Sequence, residues 1–129
     1  MRTEILGVAF DNVAMEEAVD RAMALIAEEG PHLVVTPNAE IVQATRKDGA
    51  LADIIAGADL VLPDGVGVVY ASRILGRPLK GRVPGIEFAS ALMEHMAGTG
   101  RRLYLLGAKP GVAEMAAANL QAKYPGLVI

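Results

Sequence analysis

Short apolar runs of strand length alternate along this chain with segments whose apolar residues recur every three or four positions, and this alternation predicts its elements. Ile5 to Phe10 reads as a first strand. Asp11 and Asn12 then offer caps to a helix carrying Met15, Val19, Met23 and Ile26 on one face, and Gly30-Pro31 ends it. Leu33 to Thr36 is a second predicted strand, after which Asn38 caps a helix through Ile41, Val42 and Ala44 to Lys47. A shorter helix, Ala50 to Ala56, leads into a third strand at Leu60 to Leu62. Helical spacing returns over Val66 to Leu75, stopped by Gly76, and over Ile86 to Ala97, closed by Gly98 and Gly100. Leu103 to Leu106 predicts a fourth strand. Gly111 to Lys123 predicts a last helix with Pro110 near its first turn, where a missing N–H does no harm.

Strands alternating with helices predict an α/β fold, Rossmann-like, with a largely parallel sheet flanked by helices. At 129 residues, 53% of them hydrophobic and 21% charged, the chain has the material for one domain with an ordinary core. No repeat, low-complexity tract or linker divides residues 1–129. Pro125-Gly126 turns the chain into Leu127-Val128-Ile129, a short apolar run with no helix after it to cover it. The expectation is the amino-terminal part of something longer, or a sheet edge through which the chain associates with itself as a homo-oligomer.

Composition removes several classes of function. With no cysteine there is neither a disulfide framework nor a thiolate metal site, which is compatible with a reducing compartment. The first residues do not resemble a signal peptide, and no run approaches the roughly 20 apolar residues that span a bilayer, so a soluble, cytoplasmic chain is expected. A net charge of −3, no Trp, two Phe and three Tyr leave no basic field and few stacking platforms, so nucleic acid is not an expected partner.

In a parallel α/β sheet, ligands bind beyond the carboxyl ends of the strands. Three junctions fall there: Thr36-Pro37-Asn38-Ala39-Glu40, Pro63-Asp64-Gly65-Val66-Gly67 and Gly107-Ala108-Lys109-Pro110-Gly111. Thr36 and Asn38 can end a strand and cap a helix, or line a pocket. Asp64-Gly65 can be a turn pair, or present an acid to a cleft. The Gly107 to Gly111 loop is neither a Walker A sequence nor a full G-x-G-x-x-G, and reads equally as a plain turn or a phosphate cradle. Arg73, Arg77, Lys80 and Arg82 can be a solvated charged face, or, because they share a segment with Gly76, Gly81, Pro84 and Gly85, a shaped cationic loop. An acid at a strand end followed by such cations suits transfer chemistry on a phosphorylated substrate, taking a proton on one side and holding an anionic leaving group on the other.

Hydrolase signatures are absent: there is no G-x-S-x-G and no H-E-x-x-H. His32 and His95 have no partner at metal-ligand spacing, and Met15, Met23, Met93, Met96 and Met115 read as core filler. No D-x-D pair is present to hold a divalent ion against a diphosphate. No metal or other cofactor is therefore expected, and Arg, Lys and helix amino termini have to neutralise such a leaving group.

Four motifs in order, Thr36-Pro37-Asn38-Ala39-Glu40, Leu62-Pro63-Asp64-Gly65-Val66-Gly67, Gly81-Arg82-Val83-Pro84-Gly85 and Leu105 to Glu114, resemble the WecG/TagA/CpsF family of glycosyltransferases over nearly the whole chain. Within that family the chain is most similar to TagA-type N-acetylmannosaminyltransferases. The resemblance implies an inverting, metal-independent transfer of N-acetylmannosamine from UDP-N-acetylmannosamine to N-acetylglucosaminyl-diphospho-undecaprenol, the acceptor of wall teichoic acid linkage-unit synthesis, at the inner face of the cell membrane. It implies Asp64 as the catalytic base and Thr36 and Asn38 as polar residues of the substrate pocket. Arg82 is the cation implied for the diphosphate, with Lys80 as a helper, and Gly107 and Gly111 are further substrate-binding candidates if their loop is a phosphate cradle and not a plain turn. Family members are close to twice this length, so the resemblance covers an amino-terminal part. No amphipathic basic helix is evident in the sequence to explain membrane attraction. Two alternatives stand beside the enzyme: a non-catalytic Rossmann-like nucleotide-binding module with Asp64 structural, and a folded fragment that binds little.

Overall fold

The computed structural model describes all 129 residues, which form two compact units, Met1–Phe88 and Ala89–Ile129. The first begins with a hairpin where the sequence predicts one strand. β1 (Arg2–Ile5) pairs antiparallel with β2 (Val8–Asp11), Arg2 opposite Asp11 and Ile5 opposite Val8. The two-residue turn Leu6-Gly7, with φ of 49° and 86°, splits the apolar run. Such a turn matches the twist of a hairpin, and Gly7 supplies the positive φ without strain. The run Ile-Leu-Gly-Val conceals it because both flanks are apolar.

α1 (Met15–Ala27) buries Ala18, Val19 and Ala22 on the predicted face. Its amino terminus differs from the expectation. The Ala14 amide donates to Glu17 Oε1 at 3.1 Å, while Asp11 is buried and bound elsewhere. After α1 come β3 (Val34–Val35), α2 (Ala39–Thr45), α3 (Gly49–Ala56), β4 (Leu60–Val61), α4 (Val66–Ile74) and the start of α5 (Gly85–Met96). Asn38 and Asp48 cap α2 and α3 by accepting the amides of Ile41 and Leu51.

β3 and β4 are parallel, with Val34 opposite Leu60 and Val35 opposite Val61. The core of this unit gathers Ile5, Val8, Phe10, Val42, Ile55, Ala58, Val61, Val68 and Leu79. Leu60, Val61 and Leu62 are wholly buried, which is why that strand reads as a continuous apolar run without alternation.

Asp11 ties the hairpin to β4. Its Oδ2 accepts the Val61 amide at 2.8 Å, and its Oδ1 lies 3.2 Å from Arg2 Nε and 3.4 Å from Arg21 Nη1.

The second unit holds the rest of α5 and α6 (Val112–Lys123). The predicted strand Leu103 to Leu106 does not form. A single parallel bridge joins Arg102 to Val128, and the Leu103 amide donates to Val128 O at 2.8 Å. A ladder needs a partner of matching length, and beyond that bridge Tyr104 and Leu106 stand 83% and 90% exposed.

The architecture is thus mixed α/β with six helices. Its strands form one sheet of two antiparallel strands and one of two parallel strands, and of the expected largely parallel, Rossmann-like sheet the β3–β4 pair is the part that is evident. No helix is long and apolar enough to cross a membrane.

Candidate active site

The parallel pairing of β3 and β4 sets their carboxyl ends side by side, so the junctions at residues 36–38 and 63–65 meet. The Leu62 amide donates to Val35 O at 2.9 Å, and the Asp64 amide to Pro37 O at 3.2 Å. The ladder therefore continues past the strands into the two loops. Pro37 and Pro63 are buried, which fixes the backbone under the functional side chains.

Gly65 turns the chain from β4 into α4 at φ 100°, a conformation open to glycine at little cost. Two positions on, Gly67 lies where a Cβ would stand 3.4 Å from Ala39 Cβ, so the first turns of α4 and α2 approach closely.

A third segment enters from the cationic loop. The Val83 amide donates to Pro63 O at 2.7 Å, and the Gly85 amide to Asp64 Oδ2 at 3.2 Å. Asp64 thereby satisfies one of the free N–H groups at the start of α5, where a negative charge is favoured. Its other oxygen has no hydrogen-bond partner within the protein. A Cβ on Gly85 would stand 3.1 Å from Thr36 Oγ1 and 3.5 Å from Asp64 Oδ2. The hydroxyl and the carboxylate flank one point on the α5 backbone, and both are half-buried. Beside Thr36 an apolar cleft of about 330 Å³ opens between β3, α2 and α3, lined by Val34, Val35, Ile41, Leu51 and Ile54 among others.

The remaining candidates are placed less directly. Asn38 is exposed and its Oδ1 is engaged by the Ile41 amide at 3.0 Å, leaving its amide NH₂ free. Arg82 is exposed and has no ion-pair partner. Lys80 is engaged: its ammonium lies 2.6 Å from Glu17 Oε1 and its amide donates to Asn12 Oδ1 at 2.8 Å. The Lys80 hydrogen bond, aided by the Ala14 amide, lowers the Glu17 pKa below its ordinary value of 4.5. Ser72, wholly buried, accepts the Leu79 amide at 3.0 Å and so fastens the same loop from below.

Gly107 and Gly111 belong to the second unit. Gly107, Ala108 and Gly111 take φ of 120°, 66° and 87°, and Gly111 precedes α6 with no side chain capping the helix. The loop borders an open apolar cleft of about 420 Å³ lined by Tyr104, Leu105, Leu106, Val112 and Ala113 among others.

Sequence reasoning named Gly85 as part of a loop and missed its position between Thr36 and Asp64. The Val-Pro-Gly signal was present, but only the pairing of loops across 21 residues brings that glycine to the acid.

A carboxylate bound through one oxygen to the Gly85 amide, a hydroxyl beside it and an unpaired guanidinium on the adjoining loop lie at the strand ends of this mixed α/β protein. Residues 3–129 match the family described as Glycosyl transferase WecG/TagA/CpsF family, and the chain belongs to it. Relatives named N-acetylglucosaminyldiphosphoundecaprenol N-acetyl-beta-D-mannosaminyltransferase, from Staphylococcus aureus strains NCTC 8325 / PS 47 and COL, are 35% identical over 128 residues. The match covers 98% of this chain and 50% of each relative, so the chain spans about half the length of the curated relatives it matches.

Proposed function

We propose that residues 1–129 are the amino-terminal glycosyltransferase domain of an N-acetylmannosaminyltransferase. In this reading it acts on UDP-N-acetylmannosamine and undecaprenyl-diphosphate-linked N-acetylglucosamine, at the cytoplasmic face of the membrane, in wall teichoic acid linkage-unit synthesis. Family membership and the names of the relatives support the reaction class. The convergence of Asp64 and Thr36 on Gly85 is the observation that carries the site.

A sugar hydroxyl is a poor nucleophile at neutral pH. Asp64 acts as general base: its free oxygen takes the acceptor's hydroxyl proton as the oxygen bonds to the anomeric carbon and the bond from that carbon to the UDP oxygen breaks. Attack from the face opposite UDP inverts the anomeric centre. Thr36 and the Asn38 amide orient a sugar. Arg82 meets the charge that gathers on the departing diphosphate, since a guanidinium binds two phosphate oxygens at once. Lys80 joins it only by releasing Glu17. The Gly107–Gly111 loop, within the second unit, is by itself a candidate phosphate cradle.

The test is transfer of labelled N-acetylmannosamine from its UDP donor to a short-chain N-acetylglucosaminyl-diphosphate lipid. Asp64→Asn preserves an acceptor for the Gly85 amide, so the fold is expected to persist while turnover falls about 100-fold or more. Near-normal turnover would remove Asp64 as the base. Calorimetric titration with UDP, with and without magnesium and against AMP, reads the donor site separately. Selectivity for AMP would favour a general nucleotide-binding module.

A further inference from the structure

From Gly65 to Ile86 the chain carries Arg73, Arg77, Lys80 and Arg82 and no acidic residue; all 15 Asp and Glu lie outside this segment. Within it, α4 buries Val68, Val69 and Ser72. At 100° per residue the opposite face presents Val66, Tyr70, Arg73 and Ile74 together. The three apolar side chains on that face are 54%, 56% and 84% exposed, and Leu75, at the helix end, is 53% exposed. The Arg73 guanidinium lies 6.0 Å from the centroid of the Tyr70 ring, and neither Arg73 nor Arg77 has an ion-pair partner. The outer face of a water-exposed helix is ordinarily polar. Bulky apolar residues beside unpaired arginines, with no acid among them, are instead the composition of a helix that lies at a lipid surface.

We infer that this face of α4 docks on an anionic phospholipid surface. Charge complementarity selects that occupant: the arginines meet lipid phosphates while Val66, Tyr70, Ile74 and Leu75 enter the boundary between headgroups and acyl chains. A second copy of the same face fits poorly, because a two-fold contact gathers the arginines of both copies in one interface with no acid of this segment to pair them. α4 begins two residues after Asp64 and rises about 12 Å along its nine residues, so the docked face starts beside the strand-end site. Resting on the transferase reading in this one respect, the docking holds the site at the surface where a lipid-linked diphosphate presents its sugar. The sequence hides the face because α4 is apolar almost all round; burial of Val68 and Val69 decides which side remains outside.

The test is co-sedimentation of the 129-residue chain with vesicles of phosphatidylglycerol and phosphatidylethanolamine, and with vesicles of phosphatidylcholine. Binding to the anionic vesicles alone, weakening as salt rises, is the expected result. Tyr70→Ser with Ile74→Ser, and separately Arg73→Gln with Arg77→Gln, each reduce it by about tenfold or more, with the circular dichroism spectrum unchanged because these side chains are exposed. Tyr104→Ser with Leu106→Ser, a still more exposed apolar pair of the second unit, leaves binding as it was. The inference is overturned by absent binding to anionic vesicles, by binding indifferent to the α4 changes, or by binding lost only with Tyr104 and Leu106. A lipid-free dimer that Ile74→Ser dissolves would reassign the face to a second copy and overturn it too. No nucleotide or turnover enters the readout, so failure here leaves the transferase reading standing, and a failed transfer assay leaves the docking result unaffected.

Discussion

Asp64 and Gly85 are joined by a hydrogen bond in which the carboxylate Oδ2 accepts the glycine amide at 3.2 Å, with Thr36 Oγ1 against the same glycine. The bond ties the start of α5 to the acid, so what disturbs Gly85 disturbs Asp64.

Gly85→Ala tests that dependence. The new Cβ would stand 3.1 Å from Thr36 Oγ1, so the hydroxyl must give way by roughly a few tenths of an ångström, while Asp64 Oδ2 at 3.5 Å stays in ordinary contact. Stability is expected to change by less than about 1 kcal/mol, because alanine suits a helix better than glycine and offsets part of the clash. Transfer should fall about tenfold. Thermal melts and the transfer assay read the two effects, and unchanged turnover would detach Gly85 from the site.

Arg82 and Lys80 are separated by their partners. Arg82 is unpaired, whereas Lys80 is bound to Glu17 and Asn12. Arg82→Ala is expected to lower kcat/KM by about tenfold or more through the loss of a charge-assisted bond to phosphate, and Lys80→Ala by no more than about threefold, as befits an exposed ion pair. Equal losses in steady-state kinetics would return Lys80 to the leaving group.

Asp11 is expected to matter for stability rather than transfer. Asp11→Ala leaves the buried Val61 amide without an acceptor and costs about 2 kcal/mol. Asp11→Asn keeps an acceptor for that amide, loses charge toward Arg2 and Arg21, and costs about 1 kcal/mol. Urea denaturation midpoints for the two variants check the order.

Acid should loosen two tethers. The Asp59 carboxylate accepts the Leu33 amide at 2.8 Å, and that bond, with His32 beside it, lowers its pKa from the ordinary 3.8. Glu17 is lowered from 4.5, chiefly by Lys80. A group with a depressed folded pKa contributes stability in full above its unfolded value and loses it as pH falls through the folded one. These contributions should therefore be intact at pH 6 and decline below about 4.5 for Glu17 and below about 3.8 for Asp59. Melting temperatures measured from pH 6 to pH 2.5 in Asp59→Asn should show a shallower acid decline than the parent chain.

Helix positions were legible in the sequence because they rest on local spacing. Met15–Ala27, Gly49–Ala56 and Gly85–Met96 lie within a residue or two of the expected ranges, and Asn38 caps α2 as its residue type implies. Strands were less legible. The run Ile5 to Phe10 folds as two strands around Leu6-Gly7, and Leu103 to Leu106 forms none, since a strand exists only through a partner that its own residues do not name. Asp11 looked like a helix cap because it precedes a helix; its partners at Arg21 and Val61 lie 10 and 50 residues away.

The sequence by itself determined the helices, the buried β4 run, the family and the acid that follows that run, because each depends on residue type at short range. Only the tertiary structure decided that β3 and β4 align in parallel, that Thr36 and Asp64 meet across Gly85, that Lys80 is held by Glu17 while Arg82 is free, and which side of α4 faces outward. Those outcomes depend on hydrogen bonds and packing between segments far apart in the chain, whose register is set by the whole core and not by any local pattern.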